Sequence, residues 1–521
     1  MTYLALTIGP IVETLMESKK TKELFAGSYL FSYFMKNLLI RFHKMQYSLI
    51  LPYHKEITSL FDSQNGVGMF HDRLIVSSEK TKEDIQDDVN TFVKDSIDLI
   101  VNGVINIDPQ KNSKQKTEIE EFFKNYFQIS YLITDKFSLK EITNKLDVCE
   151  LHREFIIFPD KYKQLRDQEG EKVNPLIYLQ RKFHQSFLKD DAFGEKKSDF
   201  PSVLEIALGK TIDYTYNDKE DDKREEEALK GEKTHKKYMA LIQGDGDRIG
   251  AILKKIDTAP EQIKLFSQKL LDFAKEIPSI ASKYKAQVVY AGGDDMLAFA
   301  PIIAPEQKTV FDFLKELDNK FKEIIKELNI YEAENVSQSF GVTIFYYKKP
   351  LYQALQKALY NLFSIAKQSN ERNKAVVELI KHSGQTFTVD IILNSTSYEL
   401  FSNLLEIELD AEQSALPHSI THNLQRSKNL LKAIANNYKD AKLSEKVENF
   451  FENNFNKEIH DDTRTQQTLT LTRNLLTEEL KLYQKNMTAT PSTEKREELF
   501  DTHFTHFSAL LSTIKHLRGD R

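Results

Sequence analysis

Between Tyr3 and Ile8 the chain is almost wholly apolar and stops at Gly9-Pro10, as a buried strand would; from there to about Phe42 apolar residues return at helical spacing. Ser48 to Pro52 and Asp72 to Ser77 read as further strands on either side of the turn-rich Asp62-Ser63-Gln64-Asn65-Gly66, and a helix is expected from about Glu83 to Val101. A second stretch is patterned more sharply. Tyr238 to Ile242 predicts a strand, Arg248 to Ile256 a short helix, Gln287 to Tyr290 a strand that turns through Gly292-Gly293 into another at Met296 to Ile303. Phe311, Leu314, Leu317, Phe321, Ile324 and Leu328 mark one helix face, Ser339 to Tyr347 a fourth strand, and Leu351 to about Lys367 a closing helix. Strand, helix, strand, strand, helix, strand is the ferredoxin-like order. The first 110 residues repeat it loosely, and from Tyr398 to Arg521 the pattern is helical.

The expected organisation is α+β: residues 1–110 as a first ferredoxin-like domain, 111–236 as a helical or irregular insert, 237–390 as a second ferredoxin-like domain, and 391–521 as a C-terminal helical domain. The boundary near 236 rests on the mixed-charge run Asn217 to Glu227, whose ordinary reading is a solvated linker or exposed helix.

Composition narrows this picture modestly. With 72 Lys and Arg against 78 Asp and Glu the formal charge is -6, so no global basic field announces nucleic acid, although a local groove can still be basic. The single cysteine, Cys149, excludes an internal disulfide framework and a cysteine-built zinc site, and fits a reducing cytoplasm. No apolar stretch reaches membrane length and the N-terminus lacks a basic signal region, so a soluble, cytoplasmic protein is expected.

Candidate chemistry gathers at two places. Gly292-Gly293-Asp294-Asp295 sets two adjacent acids at the tip of a hairpin, with glycines that permit unusual backbone angles and close approach of a ligand. Gly244-Asp245-Gly246-Asp247 puts further acids directly after the first strand of the same domain. In a ferredoxin-like sheet strands one and three are neighbours, so Asp245 can meet Asp294. Carboxylates gathered there repel unless cations bind between them, and hard oxygen ligands favour Mg2+ or Mn2+. Two such ions, about 4 Å apart, can activate a 3'-hydroxyl and stabilise leaving pyrophosphate. Asp245, Asp294 and Asp295 are therefore the expected metal ligands and catalytic residues. Asp247 can ligate, cap the following helix or pair with Arg248.

At these residues the chain resembles the large palm-domain subunit of type III CRISPR effector complexes, in the Cmr-type (III-B) branch. Thr7-Ile8-Gly9-Pro10 and Lys19 to Leu30 look like the opening of that family's first palm, and Gly244 to Gly250 with Gly292 to Asp295 like its second. Phe340-Gly341-Val342, Tyr347 to Leu351 and the stretch from Asn373 to Gly384 resemble the strand and helix that complete the family's second palm. The resemblance implies two palm (nucleotidyl cyclase) domains face to face with ATP between them, the first non-catalytic because Asn65 to Phe70 lacks an acid pair.

It also implies a cytoplasmic antiviral enzyme working with the small subunit, the backbone subunits, guide RNA and target RNA. On target binding such an enzyme makes a second messenger from ATP, either a cyclic oligoadenylate or AMP joined to another acceptor such as S-adenosylmethionine. Gly292 and Gly293 would border the nucleotide. Gly27 and Ser28 either approach it from the first palm or pack helices closely, and Lys374 either contacts triphosphate oxygens or is a surface lysine. Many relatives begin with an HD nuclease domain and carry a four-cysteine zinc site; neither is expected here, since His71-Asp72 lacks surrounding histidines and the chain has one cysteine. Two other readings are a stand-alone GTP-using cyclase, whose usual turn has Glu in place of Asp295, and a scaffold subunit with a dead active site.

Overall fold

The structure, a computed structural model, describes residues 1–62, 66–106, 113–151, 165–166, 172–188, 200–214, 218–304, 306, 308–368, 371–410, 419–455, 462–487 and 493–518. Asn65 and Asn217, which end two of the segments identified in the sequence, lie outside these residues.

The first sheet is built from β1 (Thr2–Gly9), β2 (Ser48–Leu51), β3 (Arg73–Ser78) and β4 (Gln128–Thr134) in the order β2-β3-β1-β4, all neighbours antiparallel. The expected boundary at residue 110 cuts through this sheet, because β4 pairs with β1 from Tyr3–Thr134 to Gly9–Gln128. β4 was hidden in the sequence for a physical reason. As an edge strand it is half-buried at every position, so no clean alternation marks it. The long helix Thr21–Lys44 lies on the sheet with Leu24, Phe25, Leu30, Phe34, Leu38 and Phe42 buried. A short antiparallel pair, β5 (Leu165–Arg166) with β6 (Lys172–Val173), sits in the insert. The helix after it, Pro175–Phe183, is N-capped by the Asn174 side chain. It is tied to the first long helix through a buried ion pair, Arg181 Nε to Glu23 Oε1 at 2.7 Å.

The second sheet has β7 (Tyr238–Asp247), β8 (Gln287–Gly292), β9 (Asp295–Pro301), β10 (Ser337–Tyr346), β11 (Lys374–Ile380) and β12 (Thr386–Ile392), in the order β12-β11-β10-β7-β9-β8. Its β10-β7-β9-β8 portion has the ferredoxin-like order, and β2-β3-β1-β4 repeats that order in the first sheet. β7 is buried along almost its whole length, as a central strand covered on both faces must be. One helix, Pro260–Lys283, had no counterpart in the expected element order; Pro278 inside it reads as a breaker in sequence yet is accommodated within the helix.

That helix joins the two halves. Its Ser267 Oγ accepts the backbone N–H of Tyr53 (2.8 Å), its Asp272 lies 3.1 Å from His54 Nε2, and its Lys264 donates to Ser48 Oγ (3.2 Å). Apolar side chains run across the same junction: Phe299 of β9 meets Phe200, which stacks on Phe25 of the first long helix. The two sheets thus share their cores, and burial of this kind stabilises by about 25 cal/mol per Å2 of apolar surface.

Among the described residues the C-terminal region is built of helices, from Thr396–Asp410 to Thr493–Arg518. The last of them docks on the second sheet: His516 Nε2 lies 2.7 Å from Tyr238 Oη, and His506 Nε2 accepts the Asp390 N–H at 3.1 Å. Among the described residues no helix is long and apolar enough to cross a membrane.

Candidate active site

β7 and β9 run antiparallel with Gly244 opposite Met296, so Asp245 and Asp295 leave the ladder side by side. Asp294 sits in the turn between β8 and β9, where Gly293 has φ +89°, a conformation that favours glycine. Gly246 serves the turn differently. A Cβ there would stand 2.8 Å from Asp294 Cβ, so the missing side chain is what lets the Asp294 carboxyl come in against β7. The turn is braced by Gln338 of β10, which donates to the Asp294 carbonyl (3.1 Å), while buried Asp318 accepts the Gln338 N–H (2.8 Å). Asp245, Asp294 and Asp295 are thus brought together as the sequence suggested.

Crowding three carboxyls in a half-buried site has an electrostatic consequence. Burial, then the Asp245 charge, pushes Asp294 up to about 6. Burial, then Asp294 and Asp245, raises Asp295 well above the usual carboxylate range. Asp295 Oδ1 is buried without a hydrogen-bond partner.

Asp247 does not cap the following helix. Arg248 occupies that position with φ +65°, and Asp247 is the last residue of β7, its side chain fully buried. Its Oδ2 accepts from Ser337 Oγ (2.7 Å), Ser339 Oγ (2.8 Å) and the Asn373 N–H (3.0 Å), a knot fastening β7 to β10 and to the start of β11.

The sequence reading missed Lys367. It comes directly after the π-helical turn Asn361–Ala366, and its ammonium contacts Asp245 Oδ2, Asp247 Oδ1 (3.1 Å) and the carbonyl oxygens of Asp245 (3.1 Å) and Gly246 (2.5 Å). Lys374, named instead for triphosphate oxygens, is held elsewhere: its ammonium pairs with Asp390 (3.1 Å) on β12 and with Glu371 (3.8 Å). Position in the fold decides the difference, since Lys374 begins a strand whereas Lys367 ends the helical run lying against β10.

On the first-sheet side, Gly27 packs a helix: a Cβ there would meet Gln180 Nε2 at 2.8 Å, and Gln180 is buried and bonded to the Thr14 carbonyl. Ser28 is buried. The segment that reaches the acidic turn is Gly66 to His71. Gly68 forms a parallel bridge with Tyr290, its carbonyl accepts the Ala291 N–H (3.0 Å), and Ser32 Oγ holds the Phe70 N–H (3.0 Å). His71 lies beside Gly292, 3.5 Å from where a Cβ would stand.

Among the described residues no group of three or more His, Cys, Asp and Glu side chains is ready to hold a metal. Asp245, Asp294 and Asp295 are therefore not a preassembled ligand set, and Asp245 is at the same time ion-paired with Lys367. The donors nonetheless fit a hard cation. Two carboxylates and two carbonyl oxygens already surround one positive charge, the Lys367 ammonium, and the orphaned Asp295 Oδ1 lacks only a partner.

Residues 238–376 match the family model for the Cas10/Cmr2 second palm domain, and residues 3–102 match that for the N-terminal part of the CRISPR-associated protein Cmr2. The chain is 26% identical to the CRISPR system Cmr subunit Cmr2 of Pyrococcus furiosus over 43% of its own length, an alignment spanning 29% of that relative. In fold it resembles chains of the type III-B Cmr-beta complex in the apo state (TM-score 0.59, 12% identity, 87% of this chain and 77% of the other). A chain of the same complex bound to cognate target RNA gives 0.58, 12%, 87% and 78%. Both halves of the junction beside the acidic turn thus fall within matched segments, and over those segments the chain is similar to the Cmr2 subunits of Cmr-type complexes.

Proposed function

We propose that this chain is the nucleotidyltransferase of an RNA-guided type III complex. It uses ATP and two divalent metal ions, Mg2+ or Mn2+, to make a nucleotide second messenger with release of pyrophosphate. The observation that carries this reading is the cluster of Asp245, Asp294 and Asp295 at the Gly292–Asp295 turn, with raised carboxyls and an oxygen shell already closed around a cation.

Asp245 and Asp295 would hold the metals with the Gly246 carbonyl, and Asp294 would complete the set from the turn. Metal ions bound there supply Lewis acidity and lower the pKa of the attacking 3'-hydroxyl. The chain's own part is to orient. Gly292 and Gly293 keep side chains away from the phosphates, Gln338 and Asp318 fix the turn, and Asp247 fixes the end of β7. The neighbouring Gly66–His71 segment makes the first sheet a non-catalytic wall of the same cleft, consistent with its lack of acids.

The product is a cyclic oligoadenylate or AMP joined to another acceptor, such as S-adenosylmethionine. The small subunit, backbone subunits, guide RNA and target RNA are its partners. The matches to the Cas10/Cmr2 second palm and to Cmr2, and the fold shared with Cmr-beta chains, support these assignments. The test is to assemble the chain with its partner subunits and guide RNA, add target RNA and labelled ATP or GTP, and identify products by mass spectrometry with and without S-adenosylmethionine. Target-dependent products from ATP are expected; turnover of GTP alone, or of neither nucleotide with any metal, would overturn the reading.

A further inference from the structure

Lys367 sits within the acidic motif, and the way it does so is specific. Its Nζ is enclosed by four oxygens, two from the carboxylates of Asp245 and Asp247 and two from the main-chain carbonyls of Asp245 and Gly246, and its side chain is 15% exposed. A lysine that merely balanced surface charge would keep most of its water. Here carbonyl and carboxylate oxygens replace that water, the same hard donors that a divalent ion takes. An ammonium and a metal ion cannot share the shell: they repel, and both need Asp245 Oδ2.

We propose that Lys367 is a tethered cation that closes the acidic motif, and that a divalent metal enters by displacing it. The proposal rests on the metal reading given above and adds a gate to it. The anchor suits a moving part. The backbone N–H of Lys367 bonds to the Leu362 carbonyl (2.9 Å) at the end of the π-helical turn, and its own carbonyl accepts from Arg372, so the main chain stays fixed. The flexible four-carbon stem swings alone. Asp247 keeps its three other hydrogen bonds when the ammonium leaves, so β7 does not loosen. The Asp245 carboxylate, which already lies against the Asp295 carboxyl, itself an expected ligand, is then freed for the metal.

The gate and a merely structural lysine predict opposite signs. If Lys367 builds the site, its removal weakens metal binding. If it competes with metal, removal tightens binding. Mn2+ titration of the full chain without nucleotide, followed by electron paramagnetic resonance of the free ion, reads this directly. K367M is expected to bind Mn2+ at least about tenfold more tightly than the unmodified protein, and K367R to stay near the unmodified value.

Equal or weaker binding by K367M overturns the gate and leaves the metal reading intact, whereas absence of Mn2+ binding in both proteins at millimolar concentration overturns both. A second measurement needs no variant. Acetylation footprinting of the unmodified chain should find Lys367 protected in EDTA and reactive with saturating Mn2+; unchanged protection in the metal-bound protein would contradict displacement even if K367M did not fold.

Discussion

Ala291, one residue before the Gly292-Gly293 turn, donates its backbone N–H to the carbonyl of Gly68 at 3.0 Å. The bond links the first sheet's turn segment to the strand that leads into the acids. It sets the first sheet's turn segment against the proposed site, and that gives the first prediction. A Cβ at Gly68 would meet Ser32 Cβ at 3.1 Å, and a branched side chain has no room there. Gly68→Val should destabilise by about 1–3 kcal/mol and lower product synthesis more than the loss of folded protein accounts for. Thermal melts compared with initial rates, normalised to folded protein, check it.

Asp245 and Asp247 are two residues apart on one strand and should behave differently. Asp247→Ala strands three hydrogen-bond donors in a buried site and should cost about 3 kcal/mol of stability. Asp245→Asn leaves those bonds in place and should abolish synthesis while changing the melting temperature little. Denaturant melts with parallel activity assays separate the two; comparable destabilisation by both substitutions would contradict the division.

Metal-free stability should depend on pH through Asp294 and Asp295. Both carboxyls are raised in the folded state, Asp294 to about 6, so the folded protein binds protons more tightly than the unfolded chain does. Between about pH 4 and 6 the folded state carries more protons, and stability therefore rises as pH falls through that window. It is lost again as pH climbs past 6. Asp294→Asn in EDTA should flatten this dependence and raise the melting temperature at pH 7.5, a stabilisation on the order of 1 kcal/mol after screening. Melts across pH 5 to 8 in EDTA measure both effects.

The acids were legible in sequence because their chemistry is local. Gly292 to Asp295 form one turn, and the ferredoxin-like order alone puts the end of β7 beside the start of β9. Residues whose role depends on packing were not. Lys367 lies more than 100 residues from Asp245 in the chain and reaches it because the helical run after β10 lies across that strand. Gly68 and His71 carry no acidic signature and reach the site through the docking of two sheets. The helix Pro260–Lys283 and strand β4 escaped notice for opposite reasons, a proline that the helix tolerates and an edge strand with no buried face. Asp247, ambiguous as cap or ligand in sequence, was decided by Ser337, Ser339 and Asn373, each more than 80 residues away.

If the Gly292–Asp295 turn and Asp245 form one metal-dependent nucleotidyl-transfer site, as proposed, the turn's two acids are indispensable to synthesis and irrelevant to RNA capture. The most direct test is the double substitution of Asp294 and Asp295 by Ala in the assembled complex, with pyrophosphate release and product mass measured after target RNA is added to ATP and Mg2+. The expected result is loss of both pyrophosphate and nucleotide product with target RNA still bound at unchanged affinity. Continued synthesis by the doubly substituted protein would contradict that assignment.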